Sequence, residues 1–192
     1  PSHTYLADGT YTVTLTATNN CGSTTFSQTV TIVLPPAAAF AASASEGCAP
    51  LAVQFTNQSS ANATSFAWTF EGGQPGSSAE QNPSASWSQP GTYTVTLIAF
   101  NGAGSDTTTS VITVNGVPTA GFAAQTAGLS VVLTNNSVNA TSYHWSFGDG
   151  NTSMEANPTH NYGTTGTFTI TLEATNPCGT TMTTSTVVIN GA

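Results

Sequence analysis

The chain of 192 residues contains no Lys and no Arg. Charged residues make up 4% of it, against roughly 25% in an ordinary soluble domain. Its eight carboxylates give a formal charge of −8 with no cation to pair them. Nucleic acid is excluded as a partner, because phosphate binding rests on Lys and Arg. Anionic membrane surfaces, which attract basic segments, are disfavoured for the same reason. No apolar run approaches the ~20 residues of a transmembrane helix, so no membrane insertion is expected. Three cysteines are too few for a disulfide-dense scaffold, and no CxxC pair suggests zinc or redox work. The sequence opens with neither a signal peptide nor a Met, and reads as an internal or processed fragment.

What is present is polar, uncharged and repetitive. Solubility falls to Thr, Ser, Asn and Gln, a composition that suits an extracellular or cell-surface location. The clearest repeat is GTYTVTLTATN at Gly9–Asn19, GTYTVTLIAFN at Gly91–Asn101 and GTFTITLEATN at Gly166–Asn176. TSFAWTFEGG at Thr64–Gly73 answers TSYHWSFGDG at Thr141–Gly150, and QNPSASW at Gln81–Trp87 answers ANPTHNY at Ala156–Tyr162. Within Tyr11–Ala17 the residues Tyr11, Val13, Leu15 and Ala17 fall on one face and Thr12, Thr14 and Thr16 on the other. That alternation is the period of a half-buried strand, and β-branched Thr suits its wet face. Gly, Asn, Pro and Ser clusters punctuate such strands throughout, and no segment carries helical periodicity. The expected fold is all-β.

Three motifs in a fixed order, W-x-F-G-D-G, N-P-x-H-x-Y and G-T-Y-T-V-T-L-x-A-x-N, resemble those of the PKD (polycystic kidney disease) family over the whole chain. The N-P-T-H-x-Y and N-x-C-G patterns are similar to those of large Bacteroidota-type surface proteins. The resemblance implies tandem immunoglobulin-like β-sandwiches: the C-terminal half of a repeat at 1–35, then complete repeats at 36–115 and 116–192. It also implies an extracellular spacer, adhesive or carbohydrate-associated module rather than an enzyme, and no catalytic signature stands against that.

Individual positions then take two readings each. Trp68 with Phe70, and Trp145 with Phe147, share a face and are expected in the cores, the alternative being a sugar-stacking platform. Trp87 takes the place of Tyr5 and Tyr162, which points to packing, and its different size makes a surface contact the alternative. Gly148–Asn151 reads as a tight turn. The alternative is a calcium loop with Asp149, Asn151 and Glu155 as oxygen ligands, which is disfavoured because the family's first Asp is Ser146 here; no other cofactor is implied. His3 and His160 are equivalent and read as hydrogen-bonded turn residues. Sequons occur at Asn57, Asn62, Asn135, Asn139 and Asn151, with Asn62 and Asn139 in the same loop of both complete repeats. Asp106-Thr107-Thr108 resembles a short O-glycosylation motif, with Thr107 as its acceptor.

Cys21 and Cys178 lie in the same turn of their repeats, where the middle repeat has Ala103. The middle repeat carries Cys48 between its first two strands instead. In a sandwich of this topology those turns sit at opposite ends, so tandem stacking predicts an inter-repeat Cys48–Cys178 disulfide. Cys21 would pair with a Cys48-like residue of a preceding repeat absent from this sequence. Free or intermolecular thiols are the alternative. The expected role is a stiff stalk or filament shaft whose partners are neighbouring repeats and, in a fibre, other copies of the chain. The other reading is an adhesin or carbohydrate-binding module that takes glycans. One outcome follows from composition alone: trypsin leaves the chain intact even after denaturation and reduction, which gel electrophoresis of a digest checks.

Overall fold

A computed structural model describes residues 1–191 of the chain. The strands in order are β1 (Gly9–Asn19), β2 (Gly22–Ile32), β3 (Phe40–Ala42), β4 (Glu46–Cys48), β5 (Leu51–Asn57), β6 (Ser65–Phe70), β7 (Ser77–Ser78), β8 (Ser84–Trp87), β9 (Gly91–Asn101), β10 (Gly104–Asn115), β11 (Phe122–Ala127), β12 (Ser130–Asn135), β13 (Ser142–Ser146), β14 (Thr152–Ser153), β15 (Thr159–Asn161), β16 (Gly166–Asn176) and β17 (Gly179–Ile189). No helix occurs among the described residues. The chain is all-β, in tandem immunoglobulin-like repeats.

The thrice-repeated G-T-x-T segment forms β1, β9 and β16, each turning back through a short Asn–Gly connection into its partner. The turn glycines Gly22, Gly104 and Gly179 have φ of 146°, 154° and 147°, which a Cβ would oppose. β1 pairs with β2 from Gly9↔Ile32 to Asn19↔Gly22, and β16 with β17 from Gly166↔Ile189 to Asn176↔Gly179. The pairing is therefore the same at both ends of the chain.

Packing divides the chain into two compact units. The first holds Pro1–Ala44, Ala52–Ser86 and Tyr93–Ile112, the second Ser45–Leu51, Trp87–Thr92 and Thr113–Ala192. In the first, β9 lies between β10 and β6 with β7 outside β6, and β3, β5 and β8 make the facing sheet. Alternate residues point inward, so Val53 and Phe55 of β5, Trp68 and Phe70 of β6, and Val95, Leu97 and Ala99 of β9 are buried. The Phe40 ring meets Trp68 edge-on at 5.1 Å, and Phe55 stacks on Phe70 at 5.2 Å; such offset and edge geometries suit the ring quadrupoles.

The second unit repeats the plan, with sheets β11-β12-β15 and β14-β13-β16-β17. Val131, Leu133, Trp145, Phe147, Tyr162, Ile170, Leu172, Val187 and Ile189 form its core. Phe122 meets Trp145 edge-on at 5.1 Å, as Phe40 meets Trp68. The β1–β2 hairpin has the same alternation but keeps its apolar side chains in solvent: Leu15 and Phe26 are each 66% exposed, where the equivalent Leu172 is 0% exposed.

Leu172 sits at the centre of its core, so replacing it by Ala costs about 2–5 kcal/mol. Replacing Thr171, on the partly exposed face beside it, costs about 0.5 kcal/mol or less. Urea denaturation of the two variants checks the contrast.

Candidate functional site

The segments that lead into the complete repeats are held by side-chain amides. Asn101, at the end of β9, donates from Nδ2 to Leu34 O at 2.7 Å and to Asn62 O at 3.3 Å. Its Oδ1 accepts the N–H groups of Ala103 at 2.9 Å and Gly104 at 3.1 Å. One short amide thus closes its own turn and grips the incoming chain, which needs donors and acceptors on the same side chain. Asn62 adds Nδ2 bonds to Leu34 O at 3.0 Å and to Asp8 Oδ2 at 2.8 Å, while Asp8 Oδ1 accepts Leu34 N–H. Ala37 N–H is taken by Ser60 Oγ at 2.8 Å and Ala38 N–H by Asp106 Oδ2 at 2.8 Å. Pro36, between them, is buried. Side chains therefore fix the segment 34–38 at four of its backbone groups.

The same device recurs 75 residues on. Asn176, ending β16, donates from Nδ2 to Gly116 O at 2.8 Å and Asn139 O at 2.7 Å, and its Oδ1 accepts Cys178 N–H at 2.8 Å. Thr181 stands where Asp106 stood: its hydroxyl donates to Pro118 O and accepts Ala120 N–H, both at 3.0 Å. Pro118 is buried, as Pro36 is. Asn139 holds φ at 60°, a left-handed conformation that Asn tolerates better than most residues.

Beside this second clamp, Cys48 and Cys178 form a disulfide with a Cα–Cα distance of 5.4 Å, closing a sequence separation of 130 residues. The sequence places this bond across the joint of two repeats; the structure corrects that. Both cysteines belong to the second compact unit, Cys48 within Ser45–Leu51 and Cys178 within Thr113–Ala192. The reason is β4, which leaves the β3–β5 sheet and pairs in parallel with Thr113–Asn115 at the end of β10. Cys21 is exposed and free.

A family model of the PKD domain matches residues 1–34, 33–116 and 115–190. The chain belongs to the PKD domain family. The matched segments change over at 115–116, whereas packing carries Ser45–Leu51 and Trp87–Thr92 into the later compact unit. Among curated proteins the chain is 42% identical over 73 residues to the pre-pro-metalloprotease PrtV of Vibrio cholerae, covering 36% of this chain and 8% of that protein. The PKD repeats span about a tenth or less of the length of the curated relatives they match. The crystal structure of the PKD1 domain of Vibrio anguillarum Epp is 36% identical, with 41% of this chain and 99% of that one covered and a TM-score of 0.40. The ectodomain of mouse nectin-like molecule 4, 15% identical with a TM-score of 0.53 over 93% of this chain and 81% of that one, shares the immunoglobulin-like fold.

The tryptophans of the PKD repeats lie inside. Trp68 is 1% and Trp145 0% exposed, and their indole N–H groups donate to Glu80 O and Glu155 O, each at 2.9 Å. That leaves no sugar-stacking face on either. Trp87, for which the sequence offered packing with a surface contact as the alternative, is 0% exposed, and Tyr162, whose place it takes, is buried too. Asn62 uses its Nδ2 in the first clamp and is half-buried, while Asn139 and Thr107 are exposed.

In the Gly148–Asn151 turn, Gly148 has φ of 82°, and a Cβ there would stand 2.6 Å from Thr169 O. Asp149 Oδ1 accepts Asn151 N–H at 3.0 Å, and Asp149 Oδ2 accepts from Asn151 Nδ2 at 2.9 Å. His160 Nε2 lies 2.7 Å from the same Oδ2, with its ring stacked on Phe147 at 4.1 Å and edge-on to Tyr162 at 4.6 Å. Tyr162 OH donates to Phe147 O at 2.9 Å. Asp149 therefore serves the turn and His160. Among the described residues no group of three or more His, Cys, Asp or Glu side chains could hold a metal ion.

Sequence reading assigned no role to Asn101, Asn176 or Asp8. The one available signal was that Asn19, Asn101 and Asn176 end all three copies of the same strand. Burial of Asp149 opposes its ionisation, but the hydrogen bonds from Asn151 and His160 and the charge of His160 outweigh it. The carboxyl pKa falls from 3.8 to about 2. A depressed folded-state pKa gives stability that is complete above the unfolded value and is lost as pH falls through the folded one. Asp149→Asn is thus expected to lower stability at pH 7, the difference fading as pH falls from about 4 to about 2. Urea titrations of the parent and the variant at both ends of that window measure it.

Proposed function

We propose that this chain is an extracellular structural segment, a stiff stalk or filament shaft built of PKD repeats. The observation that supports it best is the duplicated amide clamp. Asn101 on Leu34 and Asn176 on Gly116 remove the backbone freedom that a flexible linker would need. A linker of Gly and Ser would behave as a random coil; these segments instead bury Pro36 and Pro118 and satisfy their polar groups on fixed side chains. A module selected only to tether would gain nothing from that.

The location outside the cell draws support from the Cys48–Cys178 disulfide, since such bonds persist in oxidising compartments. The similarity to a pre-pro-metalloprotease points the same way. In such a protein, repeats of this kind would act as a non-catalytic spacer.

Small-angle scattering of the parent chain and of an Asn101→Ala/Asn176→Ala double variant tests the stalk reading. The parent should fit a single conformation. The double variant should give a broader distribution of maximum dimensions and lose about 1–3 kcal/mol per clamp from the amide partners left unpaired. A parent as broadly distributed as the variant would overturn the reading.

A further inference from the structure

The two complete repeats differ in how they treat the outer edge of their long hairpin. In the middle repeat, Phe40–Asn57 spans 18 residues, enough for β3 to pair with β5 and for β4 then to cross over and pair with the end of β10. In the third, Phe122–Asn135 spans 14. β11 turns tightly at Gly128, whose φ is 57°, and stays paired with β12 from Phe122↔Asn135 to Ala127↔Ser130. Four residues fewer leave no segment to cross over.

β17 consequently ends the order β14-β13-β16-β17, and among the described residues no strand pairs with its outer side. Its first residues are strapped by Pro118–Ala120 through Thr181, and β11 at the edge of the facing sheet lies close beside it; among the described residues the stretch left without a hydrogen-bonded strand on its outer side is Met182–Ile189. Natural edges are usually blunted by charge, proline, bulges or a covering segment. This stretch, MTTSTVVI, has no charged residue and no proline, and it pairs with β16 without a bulge.

We propose that this edge joins the same edge of a second copy of the chain, antiparallel and about a two-fold axis at Ser185. The stretch is self-complementary in that register. Met182 and Val188 are its two large exposed apolar side chains, 64% and 56% exposed. A two-fold axis through Ser185 sets Met182 against the partner subunit's Val188, and Thr184 against the partner subunit's Thr186. All four lie on one face by the two-residue period of the strand, and a two-fold axis normal to a continuous sheet keeps that face common to both copies. Thr–Thr and apolar cross-strand pairs of this kind stabilise antiparallel sheets. With no cation in the chain, an acidic peptide gains nothing at this edge, whereas an uncharged strand meets no repulsion there. The inference rests on the third repeat alone and does not depend on the stalk reading.

Sedimentation velocity over a hundredfold concentration range, in a Cys21→Ser background that removes thiol exchange, is the test. The parent should pass from monomer to dimer. Thr184→Lys/Thr186→Lys should stay monomeric, because like charges then stand directly opposite across the axis. Mixing that variant with Thr184→Glu/Thr186→Glu should restore the dimer. Ser185→Cys in the same background should cross-link to a dimer under oxidation. A parent that stays monomeric throughout, or a lysine variant that dimerises as the parent does, overturns the proposal. Circular dichroism and urea midpoints matching the parent's show that the lysine variant is folded; if it is not, the Ser185→Cys cross-link decides.

Discussion

A hairpin of two long strands with one apolar face is at best marginally stable in water unless that face is covered. This constraint governs the chain. Threonine on alternate positions keeps one side wet, and Val, Ile, Leu and Ala on the others demand a second sheet. In the complete repeats the demand is met by a strand carrying Trp-x-Phe and by the short strands facing it. The tryptophan contributes twice, by filling the centre of the core and by donating its indole N–H to a loop carbonyl, Glu80 O or Glu155 O. That second bond fixes the loop that carries the next short strand. In the β1–β2 hairpin the same side chains stand in solvent, which shows the alternation apart from the packing it calls for.

With the sandwiches settled, the end of each long strand becomes a fixed point from which a side chain can reach the incoming segment. Asparagine suits that place because its turn already asks for an acceptor and the neighbouring linker supplies carbonyls. The clamps are thus a by-product of hairpin geometry put to use between segments. No cation enters them: the second is built of neutral groups, and the first adds the carboxylates of Asp8 and Asp106 as acceptors.

The fold was legible because its period is short: alternation in Tyr11–Ala17 and its two copies reveals strand, inner face and turn at once. The inward placement of Trp68 and Trp145 follows from their spacing to Phe70 and Phe147. For Trp87 the equivalence with Tyr162 pointed inward while its larger size left a surface contact open; both side chains are buried. The clamps were hidden because Asn101 meets Leu34 across 67 residues, and Asp8 meets Asn62 across 54. No local pattern records such a meeting. The unit to which the disulfide belongs was hidden for a related reason. It depends on β4 changing sheets, a tertiary event whose trace in sequence is a difference of four residues between two hairpins.

The absence of ion pairs from the clamps has a consequence for the medium in which such a chain can work. Screening by dissolved ions weakens charge pairs, and exposed ones most of all. It leaves an amide bonded to a carbonyl almost untouched. His160 with Asp149, and His144 with Glu173 at 3.7 Å, are contacts of a kind that salt can reach. The bonds that Asn101 and Asn176 donate to backbone carbonyls would hold alike in fresh water and in brine, so a chain built on them suits an environment whose salinity it does not control.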